Sequence, residues 1–265
     1  MTFAELIHAV HSHPQHVVVP ALWGQGRATF GGLVAAMLYE AMRLKVPAER
    51  PVRSLSVTFT APMAMGEPAA FEVEVLREGK SVSQLLGRVV QDGAVVALAQ
   101  GSFGAARESA VQVEAEPAPH MPPVEACTEL LYQAGVTPEF TRFLAMRWGE
   151  GGMPFSGNQA RHMGGWVRLR SAVSDDRVSE AHLLALVDAW PPAVLAHLNK
   201  PAPGSSLTWT IEFVHPLPAL TTRDWCLYRA EIEHARDGYG HIAARLWTAD
   251  GRLLALSRQT TTVFG

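Results

Sequence analysis

One acidic side chain stands alone in an apolar stretch of the C-terminal half. Asp188 is the only Asp or Glu between Ala181 and Asn199. Burying a carboxylate is costly unless the group is paired or has a chemical role, such as taking a proton from water. Asp188 is therefore a candidate catalytic residue. The structural alternative is that Asp188 caps a helix that resumes at Pro191-Pro192.

Other patterns that carry chemistry are weak or missing in the sequence. The two cysteines, Cys127 and Cys226, lie far apart, and no Cys/His cluster suggests a zinc site. The sequence has no Gly-x-Ser-x-Gly motif and no dinucleotide-binding glycine pattern. Four histidines lie near the N-terminus, at His8, His11, His13 and His16. They lack partner cysteines or acids, so we expect them to be solvated and predict no metal.

The composition limits the class of protein. The 265 residues are 48% hydrophobic and 18% charged, which is enough for a sizeable core. The formal net charge of −3 gives no basic surface for nucleic acid. The longest uncharged apolar stretch, residues 31–39, is shorter than the ~20 residues of a membrane helix, and no signal peptide is recognisable. We therefore predict a cytoplasmic protein without nucleic-acid partners or membrane insertion.

The elements that must position Asp188 follow a simple order. An amphipathic helix is predicted over residues 3–12, a strand over 16–22 and a largely buried helix over 33–46. Four strands follow between residues 52 and 103, and Asp92-Gly93 is a typical hairpin turn.

The second half repeats this texture after a proline-bearing stretch at residues 104–125. Strands are predicted at 140–148 and 164–171, and a helix that contains Pro191-Pro192 is predicted over 179–199. From Ser206 to the C-terminus the sequence again predicts strands.

Two strand-rich regions of the chain resemble each other. The stretch at 54–58 matches that at 206–210, and Asp92-Gly93 matches Asp250-Gly251, in the same order. This repeat predicts an α+β double hotdog, in which each repeat has a long central helix wrapped by a curved antiparallel β-sheet. The alternative is two unrelated α+β domains.

The repeat also predicts the domain boundaries. Residues 1–108 form the N-terminal hotdog repeat, residues 109–130 the linker and residues 131–265 the C-terminal hotdog repeat.

Five stretches resemble the acyl-CoA thioesterase II family of bacteria and its peroxisomal relatives, over almost the full length. They are FGGLVAAMLYEA (30–41), EVEVLREGKSVSQLLGRVVQDG (72–93), LVDAWPP (186–192), SSLTWTIEFVHP (205–216) and DGRLLALSRQTTTVF (250–264). The resemblance implies hydrolysis of acyl-CoA thioesters, without a cofactor.

The resemblance also implies a set of catalytic residues. An Asp, a Ser or Thr, and a Gln hold one water in that family, and they fall on Asp188, Ser206 and Gln259. Thr208 and Thr210 are alternatives for the hydroxyl, because they are predicted on the same strand face as Ser206. Whether Asp188 acts as a base or as a nucleophile stays open at this stage.

Phe30-Gly31-Gly32 is similar to the His-Gly-Gly that starts the central helix of single-hotdog thioesterases. There, a backbone N–H binds the thioester carbonyl and a carboxylate follows seven residues after the second glycine. Here Tyr39 stands at that position, whereas Ala181, seven residues before Asp188, has no glycine pair. We therefore predict that Gly31 and Gly32 bind substrate, while the second repeat supplies the acid. The alternative is that the glycines only permit close packing.

The resemblance implies acyl-CoA as the partner and assembly as a homodimer or larger homo-oligomer. Two other functions fit the same fold. They are a non-catalytic acyl-CoA or lipid-binding protein, and a hotdog enzyme that acts on acyl-carrier-protein or polyketide thioesters. Hotdog hydratases carry an Asp-x-Asn-x-x-His motif, which Asp188-Ala-Trp-Pro-Pro-Ala does not match.

Overall fold

The computed structural model describes residues 1–170 and 176–264. The helices in these residues are α1 (Phe3–Ser12), α2 (Gly31–Arg43) and α3 (Glu180–Asp188). The strands are β1 (Val17–Val18), β2 (Gly24–Gln25), β3 (Ala28–Thr29), β4 (Val52–Phe59), β5 (Pro68–Glu78), β6 (Val82–Gln91), β7 (Ala94–Gly104), β8 (Thr128–Leu130), β9 (Leu144–Glu150), β10 (His162–Leu169), β11 (Gly204–Phe213), β12 (Cys226–Arg236), β13 (Tyr239–Thr248) and β14 (Leu253–Val263). The predicted α+β class is confirmed.

Helices α1 and α2 lie where the sequence predicts them. A capping box between Thr2 and Glu5 starts α1. Nearly all of α2 is buried, because Ala, Leu and Met cover its surface and Glu40 is its only acid. Helix α2 therefore serves as a central core helix of the first half.

Helix α3 is shorter than predicted. It ends at Asp188, and a short 3-10 helix follows only at Ala193–His197, so the predicted continuous helix over 179–199 is wrong. Proline lacks an N–H and disfavours helical geometry in the preceding residue, so Pro191-Pro192 separate the two helices. Asp188 consequently stands at the end of a helix and does not lie inside one.

Three predicted strands also differ from the structure. The strand predicted over residues 140–148 begins only at Leu144, as β9, because a 3-10 helix occupies Glu139–Phe143. The strand predicted over residues 16–22 is reduced to β1, and a 3-10 helix occupies Ala21–Trp23. The strand predicted over 164–171 begins earlier, as β10, and residue 171 lies outside the described residues.

Twelve strands form one antiparallel sheet, in the order β1-β5-β6-β7-β4-β11-β14-β13-β12-β10-β9-β8. The order from β1 inward to β4 is repeated from β10 inward to β11. In each of these two runs of five strands, a strand that precedes the helix lies at the outer end and the first strand after the helix lies innermost, and β9 and β8 extend the second half beyond β10. Strands β4 and β11 pair with each other, so the two halves share one continuous sheet.

Helices α2 and α3 pack against each other, and strands from both halves cover them. Their side chains belong to a single hydrophobic core. A smaller cluster contains Trp166, Leu227 and Trp247, and Met121 from the segment between β7 and β8 packs on it. That segment has no helix or strand over residues 105–123. The predicted division into two repeats and a linker stays a prediction.

Candidate active site

Asp188 and Gln259 meet in the core between the two halves. Asp188 ends α3, where most neighbouring side chains are apolar, and it remains only partly accessible. Gln259 lies on β14, and its Nε2 donates a hydrogen bond of 2.8 Å to Oδ1 of Asp188. The carboxylate and the amide are thus held together across 71 residues of sequence.

The surroundings of Asp188 change its acidity. Burial raises the pKa of this carboxyl to about 7, although the Gln259 amide and the backbone N–H of Gly32 both favour its charged form. A carboxylate with a pKa near neutrality accepts a proton from water far more readily than an ordinary Asp.

Gly31 and Gly32 lie directly against Asp188. A Cβ at residue 31 would lie 2.9 Å from Oδ2 of Asp188, and a Cβ at residue 32 would lie 2.9 Å from its Cβ and 2.6 Å from Cζ of Phe30. Both distances are shorter than ordinary contacts, so a side chain at either position would displace the carboxylate. The close approach of α2 and Asp188 therefore requires glycine.

The start of α2 presents backbone donors at this place, and one of them, the N–H of Gly32, donates to Asp188. Its N-cap residue, Phe30, makes no capping hydrogen bond, so the first N–H groups of the helix need other acceptors. The Phe30 ring stacks on Phe140 of the other half, with ring centroids 3.9 Å apart and planes 3° from parallel. This stacking fixes the end of α2 at which positive helix-dipole charge is concentrated.

Ser206 lies on the same sheet face as Gln259. Ser206 pairs with the buried Thr261, and Trp209 pairs with Gln259. Cross-strand partners point to the same side, so a register shift between Ser206 and Thr208 brings Ser206 to the inner face. Among the described residues, Ser206 makes no hydrogen bond to Asp188 or Gln259.

The same register shift corrects the prediction for the two threonines. Thr208 pairs with Thr260 and therefore lies on the outer face, opposite to Ser206. Thr210 lies on this outer face as well. The prediction that all three hydroxyls share a face is wrong, because a strand loses its two-residue alternation at a bulge.

An aromatic group next to Asp188 was not predicted. Trp190 stacks on Tyr228, with centroids 5.1 Å apart and planes 6° from parallel, and Trp148 is tilted against Trp190. Burial, with a smaller effect from the charge of Asp188, raises the pKa of Tyr228, so the phenol stays neutral. Only Trp190, two residues after Asp188, carried a local signal in the sequence.

A second location in the molecule corresponds to Asp188 by position in the helix. Counted from the first residue of each helix, Tyr39 on α2 matches Asp188 on α3, and Glu180 matches Gly31. The Tyr39 hydroxyl donates a hydrogen bond of 3.3 Å to Oε2 of Glu180. The end of one helix thus meets the start of the other at both locations.

The strands show the same correspondence. Val52 lies at a register shift between β4 and β7, as Ser206 does between β11 and β14. Gly101 pairs with the third residue after Val52, and Gln259 pairs with the third residue after Ser206. Val52 and Gly101 are therefore the counterparts of Ser206 and Gln259, so the sequence match of 54–58 with 206–210 is wrong by two residues, although that of Asp92-Gly93 with Asp250-Gly251 agrees with the pairing.

Residues 1–170 and 176–264 contain neither a metal-binding cluster nor a membrane-spanning helix. Nowhere in these residues do three or more His, Cys, Asp or Glu side chains gather closely enough to hold a metal ion. None of the helices described there has the length and apolar character needed to cross a membrane.

Two family models match the chain. The model of the acyl-CoA thioesterase N-terminal domain matches residues 19–104, and the model of the acyl-CoA thioesterase C-terminal domain matches residues 113–263. The two matches leave a short interval between residues 104 and 113.

Known proteins resemble the chain over most of its length. Acyl-CoA thioesterase 2 of Haemophilus influenzae is 24% identical over 250 residues, which cover 88% of this chain and 86% of that protein. A conserved protein of unknown function with a hot dog fold, from Alicyclobacillus acidocaldarius, has a TM-score of 0.80 and 26% identity, covering 94% of this chain and 92% of that one. An acyl-CoA thioesterase II from Mycobacterium marinum has a TM-score of 0.75 and 22% identity, covering 94% and 92%.

Proposed function

The chain belongs to the acyl-CoA thioesterase family, and we propose that it hydrolyses acyl-CoA to a free carboxylic acid and CoA with Asp188 as the base. One observation carries this proposal. A carboxyl group with a pKa of about 7 lies between the amide of Gln259 and the glycine-lined start of α2. We also propose that the two equivalent halves are two hotdog units.

Asp188 takes a proton from a water molecule, and the oxygen of that water attacks the thioester carbonyl carbon. A thioester is an activated acyl donor, so a positioned base and a polarised carbonyl suffice for the reaction. Gln259 holds Oδ1 in place, which leaves Oδ2 facing the start of α2.

The developing oxyanion needs donors on its other side. In this proposal the backbone N–H of Gly31 supplies one, at a helix N-terminus that favours negative charge, and the N–H of Gly32, which donates to Asp188, holds the carboxylate beside the bound thioester. Ser206 helps to position the water from the inner face of β11. The tetrahedral intermediate collapses by breaking the carbon–sulfur bond, and the proton held by Asp188 passes to the leaving CoA sulfur.

Direct attack by Asp188 would instead form a mixed anhydride. We favour the base role, because Gln259 at Oδ1 and Gly31 at Oδ2 leave the carboxylate little freedom to approach a carbonyl carbon. Hydroxylamine added during turnover would convert an anhydride at Asp188 to a hydroxamate, and mass spectrometry should detect no such product.

We propose further that the protein acts in the cytoplasm as a homodimer or larger homo-oligomer. Both cysteines are buried and free, as expected in a reducing compartment. Light scattering on the purified chain measures its mass directly, and a monomer at micromolar concentration would contradict this part of the proposal.

The test of function is thiol release from a panel of acyl-CoAs of increasing chain length. We expect Asp188→Asn to lower kcat by about 10²–10⁴-fold, the usual contribution of a positioned base. Asp237→Asn is the matched control, since Asp237 lies exposed in the turn between β12 and β13. Full activity in Asp188→Asn would refute the assignment.

The variant should fold. The pKa of Asp188 is higher in the folded protein than the ordinary value of 3.8, so ionisation costs stability as the pH rises through about 7. The neutral Asn removes this cost, and Tm at pH 8 should equal or exceed that of the wild type.

The same assay separates the alternative functions. Faster hydrolysis of acyl-carrier-protein than of acyl-CoA would favour a carrier-protein thioesterase. CoA binding without hydrolysis of any thioester would favour a non-catalytic binding protein.

A further inference from the structure

A cavity of about 630 Å³ lies beside the second location, where α2 ends and α3 begins. Its walls come from the chain before β4, the start of α3 and the chain after β11. Arg53, Arg177, Glu180 and His215 are among the residues that line it. The volume falls in the range of small-molecule sites, roughly 300–1,000 Å³.

The cavity borders the start of α3, and the proposed substrate position borders the start of α2 in the same way. Glu180 corresponds to Gly31, and Arg53 directly follows Val52, the counterpart of Ser206. The two halves therefore place equivalent elements around both locations. A cavity that is the counterpart of a substrate site fits a ligand of related shape.

The second location, which borders the cavity through Glu180 and His215, has no hydrolytic arrangement. Tyr39, Val52 and Gly101 replace the acid, the hydroxyl and the amide of the Asp188 site. The Tyr39 hydroxyl occupies one oxygen of Glu180, and Nε2 of His215 lies 3.7 Å from the other. His215 also donates a hydrogen bond of 2.8 Å to the carbonyl oxygen of Val52. A thioester held here would meet no free base of the Asp188 kind.

Two arginines with free donors line the cavity, together with the acids Glu49 and Glu180. Arg53 uses only Nε, which donates to the carbonyl oxygen of Gly104 at 2.9 Å. Arg177 is exposed, and within the described residues neither guanidinium forms an ion pair with a carboxylate. By contrast, Arg229 forms two hydrogen bonds with Glu150. Guanidinium groups with open donors favour phosphate, which they bind in a bidentate manner.

We propose that this cavity is a second binding site for the phosphate-bearing part of CoA, which it holds without hydrolysing a thioester. The inference rests on the proposed function, since it takes CoA as the ligand of the equivalent site. Arg53 and Arg177 contact the phosphates, and the thiol end of CoA points towards Tyr39 and Glu180. Each chain then binds two CoA molecules and hydrolyses a thioester at one location only.

Isothermal titration of the full chain with CoA tests the proposal. The wild type and Asp188→Asn should each bind two CoA per chain. The double variant Arg53→Gln/Arg177→Gln should bind one, because each lost phosphate contact weakens affinity by about tenfold. Arg236→Gln is the matched control and should bind two, since Arg236 is an exposed arginine at the end of β12 and does not line the cavity.

A second variant covers the case in which the loss of Arg53 disturbs folding. Ala106 lines the cavity from an exposed position, so Ala106→Trp fills it without removing a hydrogen bond. This variant should also lose one CoA. Adenosine 3′,5′-bisphosphate should compete for the second site, whereas pantetheine without phosphate should not.

Some results would overturn the inference. One CoA per wild-type chain, or two in both cavity variants, means that the cavity does not bind CoA. Thiol release by the wild type is measured separately. If CoA binding depends on the two arginines but no thioester is hydrolysed, the proposed function is refuted and the second CoA site is supported. If thioesters are hydrolysed but each chain binds only one CoA, the proposed function is supported and the second site is refuted.

Discussion

The two equivalent locations differ in what they offer a thioester. At one, Asp188 and Gln259 lie against a glycine pair. At the other, the Tyr39 hydroxyl hydrogen-bonds to Glu180, which is the first residue of the opposite helix. The same backbone framework therefore supports a proposed reactive site and a site without a free base. The chemistry depends on a few side chains, while the repeated topology supplies their positions.

The difference also teaches how the two halves depend on each other. The carboxylate and the amide come from the second half, but the glycines that they face come from the first. Neither half contains a whole site. Substitutions at one location can therefore be compared with substitutions of the equivalent residue at the other location, or of a residue on the other face of the same strand.

The largest expected effect comes from a methyl group at the glycine pair. Gly32→Ala places a Cβ 2.6 Å from the Phe30 ring and 2.9 Å from Cβ of Asp188. The carboxylate must shift, and we expect kcat to fall by about 10²-fold, as for misplaced catalytic groups. The counterpart Ala181→Gly should change kcat less than twofold in the thiol-release assay. If the two variants lower kcat equally, the two helix starts do not differ in their contribution to the reaction.

The next effect concerns Gln259, whose counterpart is Gly101. Activity should rise with pH through about 7, because Asp188 must lose its proton to act as a base. Gln259→Leu removes a donor that lowers the pKa of Asp188, so the midpoint should move to higher pH and kcat should fall about tenfold. The pH profile of kcat/KM measures the shift. An unchanged midpoint would mean that the hydrogen bond does not act on the carboxylate.

A smaller effect is expected at Ser206, whose counterpart is Val52. Ser206→Ala removes one hydroxyl from the inner face, and the loss of one hydrogen bond to water should lower kcat about three- to tenfold. Thr208→Ala and Thr210→Ala remove hydroxyls from the outer face and serve as controls. A larger loss with either threonine would contradict the faces that the register shift assigns.

The smallest effect concerns the Tyr39 hydroxyl. Tyr39→Phe removes its hydrogen bond to Glu180 while keeping the buried ring. The free energy of unfolding should fall by about 1 kcal/mol, measured by urea denaturation. A large loss of turnover in this variant would show that the second location takes part in the reaction.

Part of this arrangement could be predicted from the sequence. Asp188 is recognisable because no other acid lies near it, and Phe30-Gly31-Gly32 resembles a known helix start. Gln259 came from the family resemblance alone. The α+β class followed from hydrophobic periodicity, which reports which faces of an element are buried.

Other features depend on contacts that no local pattern records. The register shift at Ser206 arises from pairing with β14, so the sequence predicted the wrong face for Thr208 and Thr210. The contact between Tyr39 and Glu180 joins residues 141 positions apart. The end of α3 was the exception, since Pro191-Pro192 gave a usable signal for it.

The outermost strands of the sheet have a consequence for how copies of the chain can meet. Strands β1 and β8, at its two edges, are only two and three residues long. A short edge strand offers few unpaired N–H and C=O groups to another chain. Strand β1, however, pairs with only Pro68 and Ala69 of β5, and β5 continues to Glu78 with its last five residues exposed. The uncovered part of β5 is therefore the longer stretch of edge backbone on that side of the sheet.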